Sequence, residues 1–249
     1  FGYNNQSGAN ITIQRSSVVP VGFQNSLLVT VTSSNSPTSS QFGRLYQGIE
    51  GFNMSDLAWG TANAQSISIS FWVRSSVTGT HSMVLNNGAG SYAYPFTYTI
   101  SSANTYEYKT VTIPGPTAGT WGTDNSCFCY LSIGFGSGSS TVASAGSWAS
   151  ASGFVNGATG SVNLCATNGA TFYITGVQLE KGTSATAFDY RPYGTELALC
   201  QRYYCTTGNM ANPDTNSAAF NGTVLAVNGS YARVGASFKQ TMRTTPTIV

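Results

Sequence analysis

The strongest constraint on the fold is a two-residue alternation that recurs in short runs along the chain. It is clearest in SISISFWVRS, residues 66–75, where apolar side chains at odd positions alternate with serines, Trp72 and Arg74. Side chains of a β-strand point alternately to opposite faces, so this run predicts a strand with one apolar core face. Trp72 and Arg74 then lie on the face turned away from the core.

Similar runs occur elsewhere, separated by segments rich in Gly, Ser, Pro and Asn. They read ITIQ, SLLVTVT, SMVLNN, YAYPFTYTI, YEYKTVTIP, CYLSIGFG, SVNLCA and ATFYITGVQLE. Many short strands without intervening helices are typical of an antiparallel sandwich or barrel and argue against a parallel α/β sheet.

One run, TELALCQRYY at residues 195–204, has helix-forming composition instead. We expect a short helix that begins at Thr195, with Thr195 as its N-cap. Its apolar residues cover more than half the circumference, which is too much for a helix resting one stripe on its own chain. We therefore expect a seam with symmetry-related copies. The candidate seam residues are Leu197, Cys200 and Tyr204 on one side, with Leu199 and Tyr203 beside them.

The charge content is low. Charged residues make up 7% of the chain, against about 25% in typical soluble domains. A surface of Ser, Thr, Asn, Gly and Tyr is frequent in extracellular adhesins, fibres and sugar-binding β proteins. The net charge is +2 without a basic run, so nucleic acid and anionic membranes are not expected partners. No apolar run approaches the roughly 20 residues that span a bilayer.

Catalytic patterns are scarce. The single histidine, His81, lies in TGTHSM, which favours a solvated turn between two strands. Glu50, Glu107 and Glu180 would suit glycoside hydrolysis only if two of them lay about 5–9.5 Å apart. The positions of Glu50 and Glu180 favour hydrogen bonding at strand ends. We therefore expect no enzymatic activity.

The cysteines fit no common disulfide module, and their number is odd. We expect free thiols that behave as small buried hydrophobic side chains, in a protein that folds in a reducing cytoplasm. No cofactor or metal is expected, although a structural Ca²⁺ held by carboxylates and loop carbonyls stays open as an alternative. The five residues are Cys127, Cys129, Cys165, Cys200 and Cys205.

Exposed aromatic residues are the candidate ligand contacts, because a flat ring with a polar tip suits the C–H face of a sugar. Trp72 with Arg74 is the first candidate, on the face opposite the aliphatic stripe. Tyr92 and Tyr94 are the second, although aromatic residues of one parity more often form a core face. The remaining tryptophans lie near loop-like segments and are candidates for a rim: Trp59, Trp121 and Trp148.

The run GVQLEKGTSATAFDYRPYGTELALCQRYY resembles a segment of tail-fibre and other structural adhesin proteins of tailed bacteriophages. In those proteins a jelly roll similar to carbohydrate-binding modules ends in QLE and an RP pair, and ELALCQRYY links it to a C-terminal fibre domain. The runs RLYQGIEGFNMSDLAWGTANAQSISISFWVRSSVTGT and YTISSANTYEYKTVTIPGPTAGTW look like their jelly-roll strands. The resemblance covers most of residues 1–206.

The resemblance implies an all-β chain with a jelly-roll sandwich at 1–190, a linker with a short helix at 191–206, and the start of a β-rich C-terminal domain at 207–249. Both ends look cut, so we expect a segment of a longer protein. The implied function is a trimeric virion fibre module that contacts other virion proteins and attaches to a host-surface glycan. Two alternatives stay open: a purely architectural decoration, collar or head-fibre protein, and, less favoured, a polysaccharide depolymerase.

Overall fold

The computed structural model describes residues 2–204, 223–228, 231–235 and 240–243. The chain divides into two compact units, residues 1–188 and 189–249. The first unit is an antiparallel β-sandwich, which confirms the predicted all-β fold class. No helix in the described part of the chain is long and apolar enough to cross a membrane.

The sandwich consists of two sheets built from strands distant in sequence. The six-stranded sheet has the order β1-β4-β9-β6-β7-β11, and the five-stranded sheet has the order β2-β3-β13-β5-β8. Two further short strands, β10 and β12, pair in parallel. The strands are β1 (Gly2–Asn5), β2 (Asn10–Ser16), β3 (Ser26–Ser33), β4 (Phe42–Glu50), β5 (Ile67–Ser75), β6 (Gly79–Asn87), β7 (Tyr92–Ile100), β8 (Glu107–Ile113), β9 (Cys127–Ser137), β10 (Val142–Ala143), β11 (Ala149–Ser150), β12 (Gly157–Ala158) and β13 (Thr171–Lys181).

Three single turns of 3-10 helix connect these strands, at Gly51–Asn53, Ser55–Leu57 and Leu164–Ala166. The last one lies in SVNLCA, so the strand predicted there is wrong. Leu164 and Cys165 are nevertheless buried in the core, which explains the apolar signal of that run.

The core lies between the two sheets, and the alternation of β5 is confirmed. Ile67, Ile69, Phe71 and Val73 are all fully buried. The ring of Phe71 lies 5.0 Å from that of Tyr98 on β7, which joins the two sheets across the core. Full burial of each such side chain contributes about 1.5–3 kcal/mol.

One region of the core is a cluster of tryptophans, so the rim predicted for them is wrong for Trp59 and Trp121. Both are buried, and their rings meet at 4.8 Å. Trp148 is half-buried and lies 5.3 Å from Trp59. The three indole N–H groups donate to backbone carbonyls of Gln65, Ala118 and Pro114. These bonds satisfy the polar edges and let the large rings pack inside.

The thiols follow the prediction in part. Cys129 and Cys165 are buried, whereas Cys127 is half-buried and Cys200 is exposed. No disulfide joins any two of these four cysteines. Burial raises the pKa of the Cys129 and Cys165 thiols. Cys205 lies outside the described residues.

His81 is not a solvated turn residue: it lies in β6, its side chain faces the core, and it is 3% exposed. Its Nε2–H donates to the Val77 carbonyl oxygen at 2.9 Å, and its ring stacks on Tyr98. Burial lowers the pKa of His81 below its usual value, more than the bond to Val77 raises it.

This lowered pKa gives stability a definite pH dependence. Below about pH 6.5 the unfolded chain binds a proton at His81 that the folded chain does not, so stability is complete above that pH and falls as the pH decreases. We expect the free energy of unfolding to fall between pH 7 and pH 5 by up to about 1.4 kcal/mol per pH unit. Urea unfolding at several pH values measures this slope. His81→Gln retains a donor for Val77 and should remove the slope; an unchanged slope would assign it to other groups.

The second unit contains helix α1 (Tyr193–Gln201) and a hairpin of β14 (Thr223–Asn228) with β15 (Tyr231–Gly235). The predicted short helix is therefore present, but its predicted start is wrong. It begins two residues before Thr195, Pro192 occupies the N-cap position, and no side chain caps it. The Glu196 N–H instead bonds to the Pro192 carbonyl oxygen at 3.1 Å. The domain predicted at 207–249 lies largely outside the described residues.

Candidate functional site

The outer face of the six-stranded sheet carries the candidate site. On β4, Arg44 and Tyr46 lie opposite Gly134 and Ser132 of β9, and Gly48 lies opposite Tyr130. Directly opposite residues of an antiparallel pair share one face of the sheet. The alternate pair, Leu45 and Ile133, is buried in the core. Arg44, Tyr46 and Tyr130 therefore point away from the core.

Part of this face is covered by residues 154–161, which we call the covering segment. Within it, Val155 packs on Val84 of β6 and Ala93 of β7. Asn86 holds it by two hydrogen bonds, accepting from the Val155 N–H at 2.9 Å and donating to its carbonyl oxygen at 3.0 Å. A Cβ on Gly134 of β9 would lie 2.5 Å from the Asn156 carbonyl oxygen, so the covering segment lies over β6, β7 and β9 and borders β4.

Five side chains meet beside this border, and we call them the Arg44 cluster. The Arg44 guanidinium carbon lies 5.0 Å from the ring centres of Tyr46 and Phe154 and 5.4 Å from that of Phe42. The Tyr130 ring lies 5.8 Å from that of Tyr46, at 73°, and 5.4 Å from that of Phe154, at 82°. All four rings are half-buried. The members are Phe42, Arg44, Tyr46, Tyr130 and Phe154.

Two glycines make room for the tyrosine rings. A Cβ on Gly48 would lie 3.1 Å from Tyr130 Cε1, and a Cβ on Gly2 would lie 2.5 Å from Tyr46 Cζ. Any larger residue at these positions would push against a ring. Gly48 is exposed, so the sheet beside Tyr130 carries no side chain that hides the ring.

The environment of Arg44 is unusual for an arginine side chain. Arg44 is only 8% exposed, and its Nε and Nη1 atoms are buried without a hydrogen-bond partner. None of the ion pairs among the described residues involves it. Burial lowers the pKa of Arg44. The surrounding rings compensate part of the desolvation through cation–π attraction, which contributes about 0.5–2 kcal/mol per favourable pair.

Trp72 and Arg74 lie where the sequence predicts, on the outer face of the five-stranded sheet. Trp72 is half-buried, and its ring lies 5.3 Å from that of Tyr108. Arg74 is already engaged: its Nε donates to the Asn104 carbonyl oxygen at 2.8 Å, and its guanidinium carbon lies 4.6 Å from the centre of the Tyr173 ring. Trp72 stays a candidate, but its surroundings offer less to a ligand than the Arg44 cluster does.

Both Tyr92 and Tyr94 pack against the core, and Tyr94 is more deeply buried than Tyr92. Tyr94 is 7% exposed and faces the core, so the prediction that it offers a stacking face is wrong. The Tyr92 ring is half-buried and stacks on Trp148 at 5.8 Å and 3°. Both rings stabilise the tryptophan cluster.

The predicted seam residues occur together in the second unit, but not all of them on the helix. Helix α1 ends at Gln201, so Tyr203 and Tyr204 lie in the turn that follows it. There both backbone N–H groups bond to the Cys200 carbonyl oxygen at 3.0 Å. No residue of α1 is buried, and Leu197 and Leu199 are 40% and 43% exposed.

The carboxylates considered for catalysis occupy separate structural positions. Glu107 accepts hydrogen bonds from Lys109 at 2.6 Å and from the backbone N–H groups of Ser101 and Ser102. Glu180 accepts two hydrogen bonds from Thr186, one from its backbone N–H and one from its hydroxyl. This matches the hydrogen-bonding role predicted for Glu180 at a strand end. Glu50, the last residue of β4, is buried. In the described part of the chain, no three His, Cys, Asp or Glu side chains are grouped as metal ligands.

In comparisons with known proteins, the chain resembles others in three-dimensional structure but not in sequence. No protein-family model matches the chain, and no curated protein matches it in sequence. Among solved structures, it is similar to the enzymatically active domain of tailspike protein 4 of bacteriophage CBA120, with 10% identity and a TM-score of 0.40. That match covers 72% of this chain and 18% of the tailspike. The chain thus spans less than a fifth of the tailspike's length.

Two carbohydrate-binding modules are also similar. A family 11 module of a cellulase from Clostridium thermocellum shares 14% identity, with a TM-score of 0.37, over 75% of this chain and 90% of the module. A module solved in complex with β-1,4-galactotriose shares 9% identity, with a TM-score of 0.36, over 72% of this chain and 91% of the module. At these identities and TM-scores, the likeness carries no argument about function.

Proposed function

We propose that this chain is a non-catalytic module of a bacteriophage tail fibre or fibre-like appendage that attaches the virion to a host-surface glycan. The single observation that supports glycan binding is the Arg44 cluster, in which two tyrosine rings and a guanidinium share an outer sheet face. The ELALCQRYY linker supports the phage part of the proposal. The chain would fold in the host cytoplasm and act outside the cell on the virion.

The physical basis is the match between sugars and aromatic side chains. A pyranose has an apolar C–H face, which stacks on a ring, and equatorial hydroxyls, which need hydrogen-bonding groups nearby. The Tyr46 and Tyr130 rings meet at 73°, so the pair offers two differently oriented apolar surfaces. Contact at one such shallow site is weak, and several copies on one fibre would multiply its strength.

A purely architectural role, as a decoration, collar or head-fibre protein, is the second candidate. The observation that favours it is the pair of exposed leucines on α1, which fits assembly with other copies or other virion proteins. Polysaccharide depolymerisation is the least favoured function, because Glu107 and Glu180 are engaged by Lys109 and Thr186.

The test of glycan binding is Tyr46→Ala. Loss of a stacking ring should weaken binding of the full chain to host polysaccharide by about 1–3 kcal/mol, as for residues that dominate other interfaces. Isothermal titration calorimetry measures the affinity, and circular dichroism verifies the fold. Trp72→Ala is the matched control, because it removes an aromatic ring from the outer face of the other sheet. If Trp72→Ala loses binding and Tyr46→Ala does not, the site lies on the five-stranded sheet.

A further inference from the structure

Arg44 has no ion-pair partner among the described residues of its sheet. Strands β1, β4, β6, β7, β9 and β11 contain one other ionisable residue with a full charge at neutral pH, Glu50. Glu50 lies six residues along β4 from Arg44, which is about 20 Å in an extended strand. No carboxylate of the described residues forms an ion pair with Arg44. The outer face therefore carries one uncompensated positive charge.

The aromatic rings stabilise this charge without satisfying its hydrogen bonds. Three ring centres lie within 5.0–5.4 Å of the guanidinium carbon. Ring faces attract a cation, but they offer no lone pairs comparable to those of an oxygen acceptor. Nε and Nη1 are buried without a partner, so a ligand that contacts the guanidinium would do so through Nη2.

We infer that the ligand of the Arg44 cluster carries an anionic group, and that the cluster binds acidic rather than neutral glycans. This inference rests on the proposed function. A guanidinium matches the geometry of a carboxylate or sulfate group and binds it by charge-assisted hydrogen bonds. Uronic acids and sulfate esters are two common forms in which polysaccharides present such groups. The Tyr46 and Tyr130 rings then contact the sugar, and Arg44 contacts its acidic substituent.

The arrangement also explains why an arginine occupies this position. A buried cation without a partner is destabilising, and replacing it by an apolar residue of similar size is often neutral or stabilising for the fold. An anionic ligand at Nη2 would neutralise the charge of Arg44 in a partly desolvated site, where a charged pair is stronger than in water. The position of Arg44 is therefore better explained by binding than by stability.

The experiment compares matched pairs of polymers with the full chain at low salt. The pairs are polygalacturonate with its carboxyl-reduced form, and dextran sulfate with dextran. We expect at least one acidic polymer to bind about tenfold or more tightly than its neutral partner, and added salt to weaken that binding. The pair that shows the difference identifies the carboxylate or the sulfate as the anionic group.

The variants Arg44→Gln and Arg44→Lys assign this preference to the cluster. Arg44→Gln should remove the preference, and Arg44→Lys should retain only part of it, because it keeps the charge without the planar group that packs among the rings. Arg74→Gln on the other sheet is the control and should leave it unchanged. If Arg44→Gln does not fold, Tyr46→Ala takes its place: loss of the acidic preference in that folded variant assigns the preference to the cluster, and an unchanged preference overturns the inference.

Equal binding to acidic and neutral polymers would overturn the inference and leave the proposed glycan binding intact. An acidic preference that survives in folded Arg44→Gln would also overturn it, since net positive charge would then explain the binding. Absence of binding to all four polymers and to host polysaccharide would instead contradict the proposed function itself.

Discussion

Trp59→Ala is expected to lower the free energy of unfolding of the sandwich by about 3–5 kcal/mol, as truncation of a buried tryptophan does in other cores. Trp59 is buried and lies within 5.3 Å, ring centre to ring centre, of Trp121, Trp148 and Phe128. Its removal leaves a cavity between rings that cannot all move inward. Urea unfolding followed by circular dichroism measures the change.

The matched control is Trp72→Ala, which removes the same side chain from the outer face of β5. Trp72 is half-buried, so its loss should cost clearly less than the loss of Trp59. Equal losses of stability in the two variants would mean that Trp59 in the tryptophan cluster stabilises the fold no more than a tryptophan on the outer face does.

The second large effect concerns assembly. We propose that the chain forms a trimer through α1, because a nine-residue helix without buried residues is marginal alone in water. Burial of each leucine between copies would contribute about 1.5–3 kcal/mol. Sedimentation of the wild-type chain should give three times the chain mass of 26.1 kDa. Leu197→Ser with Leu199→Ser should give the mass of one chain.

The control for this pair is Thr195→Ser with Gln201→Ser, which places serines at two polar positions of the same helix. It should remain trimeric, because no apolar contact is lost. A folded monomer for both wild type and the leucine variant would show that the proposed seam does not exist.

The sequence predicts the sandwich well because its strands obey a local rule. The alternation of β5 depends on neighbouring residues alone, and burial of its odd positions follows directly. The position of TGTHSM between two predicted strands favours a turn for His81. In the structure, β6 begins at Gly79, and His81 shares its face with Met83 and Leu85 in the core. Only pairing with β7 and β9 reveals that face.

The candidate site depends on contacts that no local pattern contains. Alternation alone does not predict β4, because its two glycines and Arg44 weaken the apolar pattern, and only the resemblance of RLYQGIEG to jelly-roll strands indicates it. Tyr46 meets Tyr130 only through pairing of β4 with β9, and Phe154 reaches them from the covering segment. The one available signal was the alternation of Arg44, Tyr46 and Gly48 around Leu45. Trp72, by contrast, was placed on the correct face from its strand alone.

The most direct test of the central claim is a glycan array probed with the labelled full chain and with its Tyr46→Ala, Tyr130→Ala double variant. Glycan binding through the Arg44 cluster predicts that the wild-type chain binds a defined set of glycans. It also predicts that the folded double variant loses them while Trp72→Ala retains them. A folded wild-type chain that binds no glycan, or a double variant that binds the same set equally well, would contradict the account.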